Sequence, residues 1–537
     1  MSTKSKGSDF MANLTRRDFI KMTSMTALAL AATGLPLGNE KVFAADNCTV
    51  KTRYGTFNGF VDEKGVKTWL GIPYAQPPVG KLRWQATQPL KPSNKTFDAK
   101  KFGASAIQED DELEKSSANV QSEDCLTLNI WKRSDKKNLP VMFFIHGGSF
   151  MHGGSFEPLY NGNNLAASND VIVVSFNYRL NIFGFMHFEL IDSSLEDAGY
   201  LGLKDQIAAL TWVRENISAF GGNPDNITIF GESAGSISCM LLSVAPAAKG
   251  LFQKAIPESG PSRFVHDMEH AAKLTEDFMD LSGTRKMSDL RKKSAIELRD
   301  IYVKLFEMRI KTAHSDFIPA CDGKFLPEDP FTAIKNGAAR EIKFLTGINA
   351  CEWGYWLLYD KNYFKNFHET HDRISMVMSR YKKLTSRTSK EVYQSWLNGR
   401  PDTEENYMDF INQLDWRVGQ ELDAENQSKF NDVYYYLFSD ISLREDLGSF
   451  HSLELAFVFN KPFDELLPNP NLKLVKQIQA SWTAFAATGN PNNEFIPHWE
   501  KYSANNRQTM ELSSKGCVCH KDLDTQNLNT LRYVYES

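Results

Sequence analysis

Short runs of apolar residues recur along the chain and alternate with longer stretches of mixed polarity. The runs lie at residues 141–145, 171–176, 227–230, 342–345 and 433–438. In the stretch 203–220, apolar residues are instead spaced three and four positions apart. The runs predict buried strands, and the wider spacing predicts an amphipathic helix. Alternation of the two predicts an α/β protein, with a mostly parallel sheet covered by helices on both faces and a ligand site at the carboxyl ends of its strands.

Two long polar stretches interrupt this alternation, at residues 266–309 and 361–427. Neither is flanked by a hinge rich in Gly, Ser or Pro, of the kind that separates domains. We therefore expect both to be helical insertions over the functional site of one large domain. A separate helical domain remains the alternative.

The first 44 residues have the pattern of an export signal. Arg16 and Arg17 precede a mostly apolar or small stretch at 22–35, and residues 42–45 read VFAA, which is typical of a cleavage site with small residues. This stretch is shorter than the roughly 20 residues that cross a bilayer. The paired arginines resemble a twin-arginine signal, whose partner is the bacterial export machinery. We expect cleavage near Ala44 and a mature domain of residues 45–537 that is periplasmic or secreted, with no stable membrane insertion.

Composition narrows the class of function. The chain has 537 residues, of which 42% are hydrophobic and 24% are charged, and its net charge is -5. These values are typical of a globular protein, and an acidic chain lacks the basic footprint of nucleic-acid binding. The 36 Phe, 18 Tyr and 10 Trp residues can line an apolar pocket as well as a core.

A candidate nucleophile follows the predicted strand at 227–230. Residues 231–235 read GESAG, which places Ser233 between two glycines, after a strand and before a helix start rich in small residues. This pattern is typical of the nucleophile elbow, a strained turn that exposes the serine hydroxyl at the edge of the sheet. A glycine-rich turn with a solvated serine is the alternative.

A serine nucleophile also needs hydrogen-bond donors for the oxyanion that forms during attack. Residues 146–150, directly after the strand at 141–145, read HGGSF and resemble the turn whose backbone N–H groups face the reacting carbonyl. We expect the N–H groups of Gly148, Ser149 and Ala234 to form this oxyanion hole, and His146 to shape the turn.

Several motifs together resemble the type-B carboxylesterase and cholinesterase family, from about residue 50 to residue 500. They are FGGNP at 220–224 leading to the serine, EDCLTLN at 123–129, GIPYA at 71–75, NYRL at 177–180, DQ at 205–206, SG at 259–260, and Trp482 with Phe485 and Ala486. The resemblance implies a single domain with the α/β-hydrolase fold and a Ser, Glu, His triad in that order along the chain.

The resemblance also assigns the other two members of the triad. The acid of the family follows a strand as Asn-x-x-Glu, which here selects Glu352, and the base precedes a Glu and an apolar run, which selects His451. The implied reaction is hydrolysis of small to medium neutral esters through an acyl-enzyme. It needs no metal and no cofactor, and its partner is a small-molecule ester.

By family position, Phe150, Tyr355 and Trp356 line the substrate cleft, although aromatic residues at strand ends also pack as core. Glu232, beside the nucleophile, would favour a cationic alcohol group. Choline specificity is not expected, because the family members that have it carry a tryptophan in a disulfide-closed loop, and residues 103–122 contain neither Trp nor Cys.

Three positions depart from the family pattern. Ala106 stands near the place of the usual upstream partner of Cys125, so that Cys48 is the only remaining upstream candidate, and we expect Cys125 to be a free thiol. Ser149 replaces a third glycine of the oxyanion turn. Trp353 follows the acid where glycine is common.

Two further clusters have metal-ligating residue types but the wrong spacing. His368 and His371 are three positions apart, whereas the metalloprotease pattern needs two His four apart. Residues 517–520 read CVCH without a second pair of ligands, so a zinc site is not expected there.

Other functions remain open alongside the esterase. Some family relatives are adhesion modules that have lost the nucleophile, so an inactive or weakly active binding protein is one alternative. The same triad could also act on a long-chain lipid ester, a thioester or an amide.

Overall fold

The computed structural model describes residues 48–109, 120–309, 317–358, 388–523 and 525–536. The predicted export segment therefore lies outside the described residues, as do His368 and His371. The division into a segment of 1–44 and a single domain of 45–537 stays a prediction. Within the described ranges, no helix is both long and apolar enough to span a bilayer.

The strands and helices of the described ranges have the following bounds. The strands are β1 (Thr49–Thr52), β2 (Gly55–Asn58), β3 (Phe60–Val61), β4 (Lys67–Pro73), β5 (Thr96–Asp98), β6 (Thr127–Lys132), β7 (Leu139–Ile145), β8 (Ile172–Phe176), β9 (Gly222–Glu232), β10 (Lys254–Glu258), β11 (His266–Asp267), β12 (Ala320–Cys321), β13 (Lys343–Asn349), β14 (Val433–Phe438), β15 (Thr509–Leu512) and β16 (Val518–His520). The α-helices are α1 (Asn163–Ser168), α2 (Asn181–Gly184), α3 (Leu201–Asn216), α4 (Ala234–Val244), α5 (Met268–Ser282), α6 (Met287–Leu290), α7 (Ala295–Arg309), α8 (Pro330–Lys335), α9 (Ser389–Leu397), α10 (Glu404–Ile411), α11 (Val418–Ser428), α12 (Leu455–Val458), α13 (Leu472–Thr488) and α14 (Thr525–Glu536). Short 3-10 segments lie at Gly80–Leu82, Pro158–Tyr160, Phe188–Leu190, Ala198–Tyr200, Ile217–Phe220, Pro246–Ala248, Glu352–Leu358, Glu445–Leu447 and Asp464–Leu466, and a π-helical turn lies at Asn412–Arg417.

A mixed sheet of eleven strands runs through the molecule in the order β16-β15-β14-β13-β10-β9-β7-β8-β6-β4-β3. Neighbours from β15 to β8 pair in parallel. The strands at both edges pair antiparallel. The predicted runs of apolar residues correspond to β7, β8, β9, β13 and β14, so the expectation of a mostly parallel central sheet is confirmed.

The central strands are buried on both faces, as their continuous apolar runs predict. Along β7, Phe143 packs into one core cluster together with Val213 of α3, whereas the next residue, Phe144, packs into a second cluster together with Trp482 of α13. Successive side chains of a strand point to opposite faces. The two clusters are therefore the two helix-covered faces of the sheet.

The two predicted insertions are mainly helical in the parts that the structure describes. Residues 266–309 form mainly α5 to α7, and residues 388–428 form α9, α10, the π-helical turn and α11. Tyr302 and Leu422 belong to the same core cluster as one face of the sheet. Both insertions thus share a core with the sheet, and the second carries Trp416 into the candidate site.

Candidate active site

Ser233 occupies the turn between the end of β9 and the start of α4. Its backbone has a φ of 58° and a ψ of −121°, a strained conformation for a residue with a side chain. Its N–H donates to the carbonyl of Glu258 over 3.0 Å. A Cβ atom on Gly231 or Gly235 would lie 2.5 or 2.0 Å from the carbonyl oxygen of Ile145. The two glycines therefore leave room for β7, as expected of a nucleophile elbow.

The turn at 146–150 lies directly against this elbow. A Cβ atom on Gly147 would be 3.2 Å from Cβ of Ser233. Gly148, Ser149 and Phe150 all have positive φ, so the chain turns sharply after β7. The structure thus brings the predicted donors Gly148 and Ser149 to the loop that faces the nucleophile, while Ala234 opens α4, where N–H groups lack partners within the helix.

His146 is part of the scaffold of this turn. Its Nδ1 lies 2.8 Å from the carbonyl oxygen of Gly147, and its ring stacks on Tyr178 with centroids 4.4 Å apart. Burial lowers the pKa of His146 to about 4, against a smaller opposite effect of the bond to Gly147. The ring is therefore neutral at physiological pH and has a structural place in the turn.

Glu352 and His451 form a hydrogen-bonded pair at the carboxyl end of the sheet. Nδ1 of His451 lies 2.6 Å from Oε2 of Glu352. The other carboxylate oxygen, Oε1, accepts from the backbone N–H of Asn349 over 2.7 Å. Glu352 is completely buried and His451 is 7% exposed. The carboxylate is held from both sides, which fixes the orientation of the imidazole ring.

A second carboxylate, that of Glu232, faces the other nitrogen of the same ring. Its Oε1 lies 3.0 Å from Nε2 of His451 and accepts from the hydroxyl of Ser452 over 2.7 Å. Because Glu232 directly precedes Ser233, this contact brings the elbow and the Glu352–His451 pair to one place. Glu232 is only 2% exposed. Its predicted contact with a cationic substrate group stays a prediction.

The two carboxylates change the acid-base behaviour of His451. Burial on its own lowers the pKa of the imidazole, but the charges of Glu232 and Glu352, together with their hydrogen bonds, outweigh it. The pKa of His451 is raised well above its ordinary value. The two carboxylates therefore stabilise the charged form of the imidazole.

Two more buried glutamates lie behind this pair, and sequence reasoning did not assign either to the site. Glu454 accepts from Nδ2 of Asn349. Burial and then the charges of Glu232, Glu258 and Glu352 raise the pKa of Glu454 well above its ordinary value. Glu258 is completely buried at the end of β10. Of the two, only Glu454 had a sequence signal, because the family motif has a Glu shortly after the base, His451.

Aromatic side chains surround the imidazole ring. Tyr355 and Trp356, predicted as cleft residues, have ring centroids 6.1 and 6.2 Å from that of His451. Trp416, which the sequence did not indicate, is closer, at 4.7 Å. Phe150 has no exposed surface and packs on Phe185, so the structure places it in the core and not at an exposed wall.

The π-helical turn Asn412–Arg417 carries Trp416 and is fastened to the segment of the acid. Oδ1 of Asn412 accepts from the backbone N–H of Trp353 over 2.9 Å. Trp353 stands where glycine is common in the family. The structure accommodates the Trp353 side chain by burying it, with its ring centroid 4.1 Å from that of Trp356.

Cys125, which we expected to be a free thiol, is buried and unpaired in the structure. It lines a small internal cavity together with Ala106, the residue near the place of the missing partner. Burial, chiefly, raises the pKa of the Cys125 thiol, so it is not poised to react.

In the part of the chain that the structure describes, no group of three or more His, Cys, Asp or Glu side chains is arranged so that it could hold a metal ion. In the CVCH segment, Nε2 of His520 lies 2.9 Å from Glu511, and Sγ of Cys519 donates to Gln508.

Comparison with known proteins gives consistent matches over nearly the whole chain. The sequence model described as "Carboxylesterase family" matches residues 46–531. The para-nitrobenzyl esterase of Bacillus subtilis (strain 168) is 39% identical over 482 residues, which cover 87% of this chain and 95% of that protein. The medium-chain fatty acyl-CoA hydrolase precursor of Anas platyrhynchos is 32% identical, covering 86% of this chain and 88% of that protein.

A solved structure shows the same architecture. The crystal structure of a carboxylesterase from Geobacillus stearothermophilus at pH 6.2 superimposes with a TM-score of 0.80 at 32% identity, covering 90% of this chain and 100% of that one. The predicted α/β-hydrolase fold is confirmed by this match.

Proposed function

The chain belongs to the carboxylesterase family, and on that premise we propose that it hydrolyses carboxylic esters through an acyl-enzyme on Ser233. The family assignment and the prediction of a carboxylesterase are confirmed by the matches above. One observation supports the mechanism most strongly. The strained Ser233 elbow carries Glu232, which contacts the same imidazole ring that Glu352 orients from the other side.

The reaction begins when His451, having released its own proton, takes the proton of the Ser233 hydroxyl. The oxygen then bonds to the ester carbonyl carbon, and the N–H groups of Gly148, Ser149 and Ala234 stabilise the oxyanion. The bond to the alcohol breaks as His451 returns the proton to the leaving oxygen. Water repeats the two steps on the acyl-enzyme, which frees the acid and restores Ser233.

Glu352 orients the ring and stabilises its charged form during both steps. The proposed substrates are small to medium neutral esters, because aromatic side chains surround the imidazole and offer an apolar surface. A long-chain lipid ester, a thioester or an amide would use the same groups, and a substrate series distinguishes them.

Replacing Ser233 with alanine tests the mechanism. We expect purified Ser233→Ala to hydrolyse p-nitrophenyl acetate and butyrate at least about 1,000-fold more slowly than the wild type, because the attacking oxygen is gone. Ser243→Ala is the matched control, since this serine lies at the far end of the same helix and its hydroxyl donates within the helix to the carbonyl of Cys239. An unchanged rate in Ser233→Ala, or an inactive wild type, contradicts the proposal and favours the binding-protein alternative.

We also propose that the mature enzyme lies outside the cytoplasm. The family match begins at residue 46, so that it leaves out the segment with the paired arginines. Residues 1–44 would direct export and would then be removed.

A further inference from the structure

A buried acid lies directly beneath the nucleophile without a role in the reaction described so far. Glu258 ends β10 and pairs in register with Glu232 at the end of β9. Its backbone carbonyl accepts from the N–H of Ser233, and its side chain is completely buried. Oε1 accepts from Nε1 of Trp482 over 3.3 Å, whereas Oε2 has no hydrogen-bond partner among the described residues.

The surroundings of this carboxyl group disfavour a negative charge. The titratable groups that interact with it are Glu232 of β9, Glu454 ahead of α12, Tyr436 of β14 and Cys239 of α4. All four are neutral or negative, and none is a cation. The pKa of Glu258 is raised to about 8: burial raises it most, the bond from Trp482 lowers it by less, and the charge of Glu232 adds to the rise.

A buried carboxyl group with one weak donor and a neighbouring carboxylate is more stable as the neutral acid. We propose that Glu258 is a positioning residue of the ester hydrolysis proposed above: as a neutral acid it limits the negative charge next to His451 to Glu232 and Glu352, and when it ionises it strengthens their hold on the imidazole proton. The charge of Glu258 acts on His451 through Glu232. The carboxylate of Glu232 contacts the imidazole ring, and its backbone pairs in register with Glu258 at the end of β10.

The consequence is a displaced pH dependence. His451 acts as a base only after losing a proton, so kcat/KM rises with pH as the imidazole becomes neutral. In the wild type, ionisation of Glu258 strengthens the hold on this proton. In Glu258→Gln, an isosteric neutral side chain cannot do so. We expect the midpoint of the rise to lie about half to one pH unit lower in Glu258→Gln than in the wild type.

Two further variants separate this effect from a structural one. Glu258→Asp keeps an ionisable acid and should return the midpoint towards that of the wild type. Lys254→Gln is the matched control, because Lys254 begins the same strand and its pKa is also near 8. In this residue burial, chiefly, lowers the pKa to about 8. A midpoint that does not move in Glu258→Gln, or that moves equally in Lys254→Gln, overturns the proposal.

Infrared difference spectra between pH 7 and pH 9 need no substrate, and Glu258→Gln assigns the band. A carbonyl stretch of a neutral carboxyl group should disappear from the wild type with a midpoint near pH 8 and should be missing from Glu258→Gln. A wild type without this change, or a variant that retains it, overturns the inference. An inactive wild type rejects the proposed function together with this inference, whereas an active wild type with an unmoved midpoint rejects the inference alone.

Discussion

His451 lies between two carboxylates, and this arrangement has a cost for catalysis. A base must lose its proton before it can take one from Ser233, yet Glu352 and Glu232 contact both ring nitrogens, at 2.6 and 3.0 Å. Their charges raise the pKa of His451 despite burial. The same charges stabilise the imidazolium that forms during each proton transfer. In the proposed mechanism, Glu232 would thus stabilise the charged intermediate and would also compete with Ser233 for Nε2.

Replacing Glu232 with glutamine should shift the activity towards acid pH. The wild-type rise of kcat/KM should lie above pH 6.5, the ordinary pKa of histidine, because the neutral base forms only above the raised pKa. Removing one negative charge at hydrogen-bond distance lowers that pKa, and we expect the midpoint in Glu232→Gln to fall by about one to two pH units. A pH profile of p-nitrophenyl butyrate hydrolysis measures it.

Ser452→Ala is the control for this measurement. It removes the hydroxyl that donates to Glu232 but leaves the carboxylate charge beside His451. Its midpoint should therefore move by much less than that of Glu232→Gln. Equal midpoints in the wild type and in Glu232→Gln would show that Glu232 does not control the proton of His451.

The residues that sequence could indicate are those whose role depends on local context. Ser233 is marked by the glycines on either side, and His451 by the Glu three positions later. Glu258 had no such signal, because it ends a buried strand and its importance comes from the neighbouring strand. Trp416 was missed for the same reason: its contact with His451 joins residues 35 positions apart that no motif links.

At the scale of elements, the site depends on how closely β7 approaches the turn between β9 and α4. Gly235 lies in the first turn of α4, and a side chain there would collide with the carbonyl of Ile145 at the end of β7. The start of α4 also directs unpaired N–H groups towards the nucleophile, where a negative charge is stabilised. The close packing of these elements therefore sets the position of both Ser233 and the proposed oxyanion donors.

Adding one methyl group at Gly235 should disrupt this packing. The new Cβ in Gly235→Ala would lie 2.0 Å from the carbonyl oxygen of Ile145, and backbone cannot move aside cheaply. We expect a loss of at least about 1–3 kcal/mol in the free energy of unfolding and a lower kcat, measured by urea denaturation and ester hydrolysis.

Gly250→Ala provides the comparison. A Cβ atom there meets nothing within 4 Å, although the residue has a φ of 80°. It should cost about 1 kcal/mol from backbone strain alone and leave kcat near that of the wild type. If Gly235→Ala were as stable and as active as Gly250→Ala, the close approach of β7 would not position the site.

The alternation of elements was predictable because both faces of the central strands are buried, which leaves long apolar runs such as the one in β14. The ends of the elements were less predictable. β9 continues through polar residues to Glu232, and β13 continues to Asn349, since pairing with neighbouring strands extends them beyond their apolar runs. The π-helical turn at Asn412–Arg417 has no sequence signature, and its bond to Trp353 is a tertiary contact.

At the scale of the whole molecule, the central sheet gathers groups that are far apart along the chain. Ser233 follows β9, Glu352 follows β13 and His451 follows β14, and these parallel strands end at the same edge. The order of the strands, in which β10 alone separates β9 from β13, brings Glu258 between the nucleophile and the acid. The family resemblance could predict the triad, but this neighbour follows only from the sheet order.

The proposed export concerns the whole chain, and its test depends on the paired arginines. A twin-arginine pathway carries folded proteins, so the enzyme should be active on both sides of the inner membrane. In a bacterial host, we expect wild-type esterase activity in the periplasm or medium, with mass spectrometry showing an amino terminus near residue 45. Arg16→Lys with Arg17→Lys should retain active, uncleaved enzyme in the cytoplasm. Lys4→Arg with Lys6→Arg, an equally conservative change ahead of the motif, should be exported normally. Wild-type activity confined to the cytoplasm, or export that survives the change at Arg16 and Arg17, contradicts the assignment.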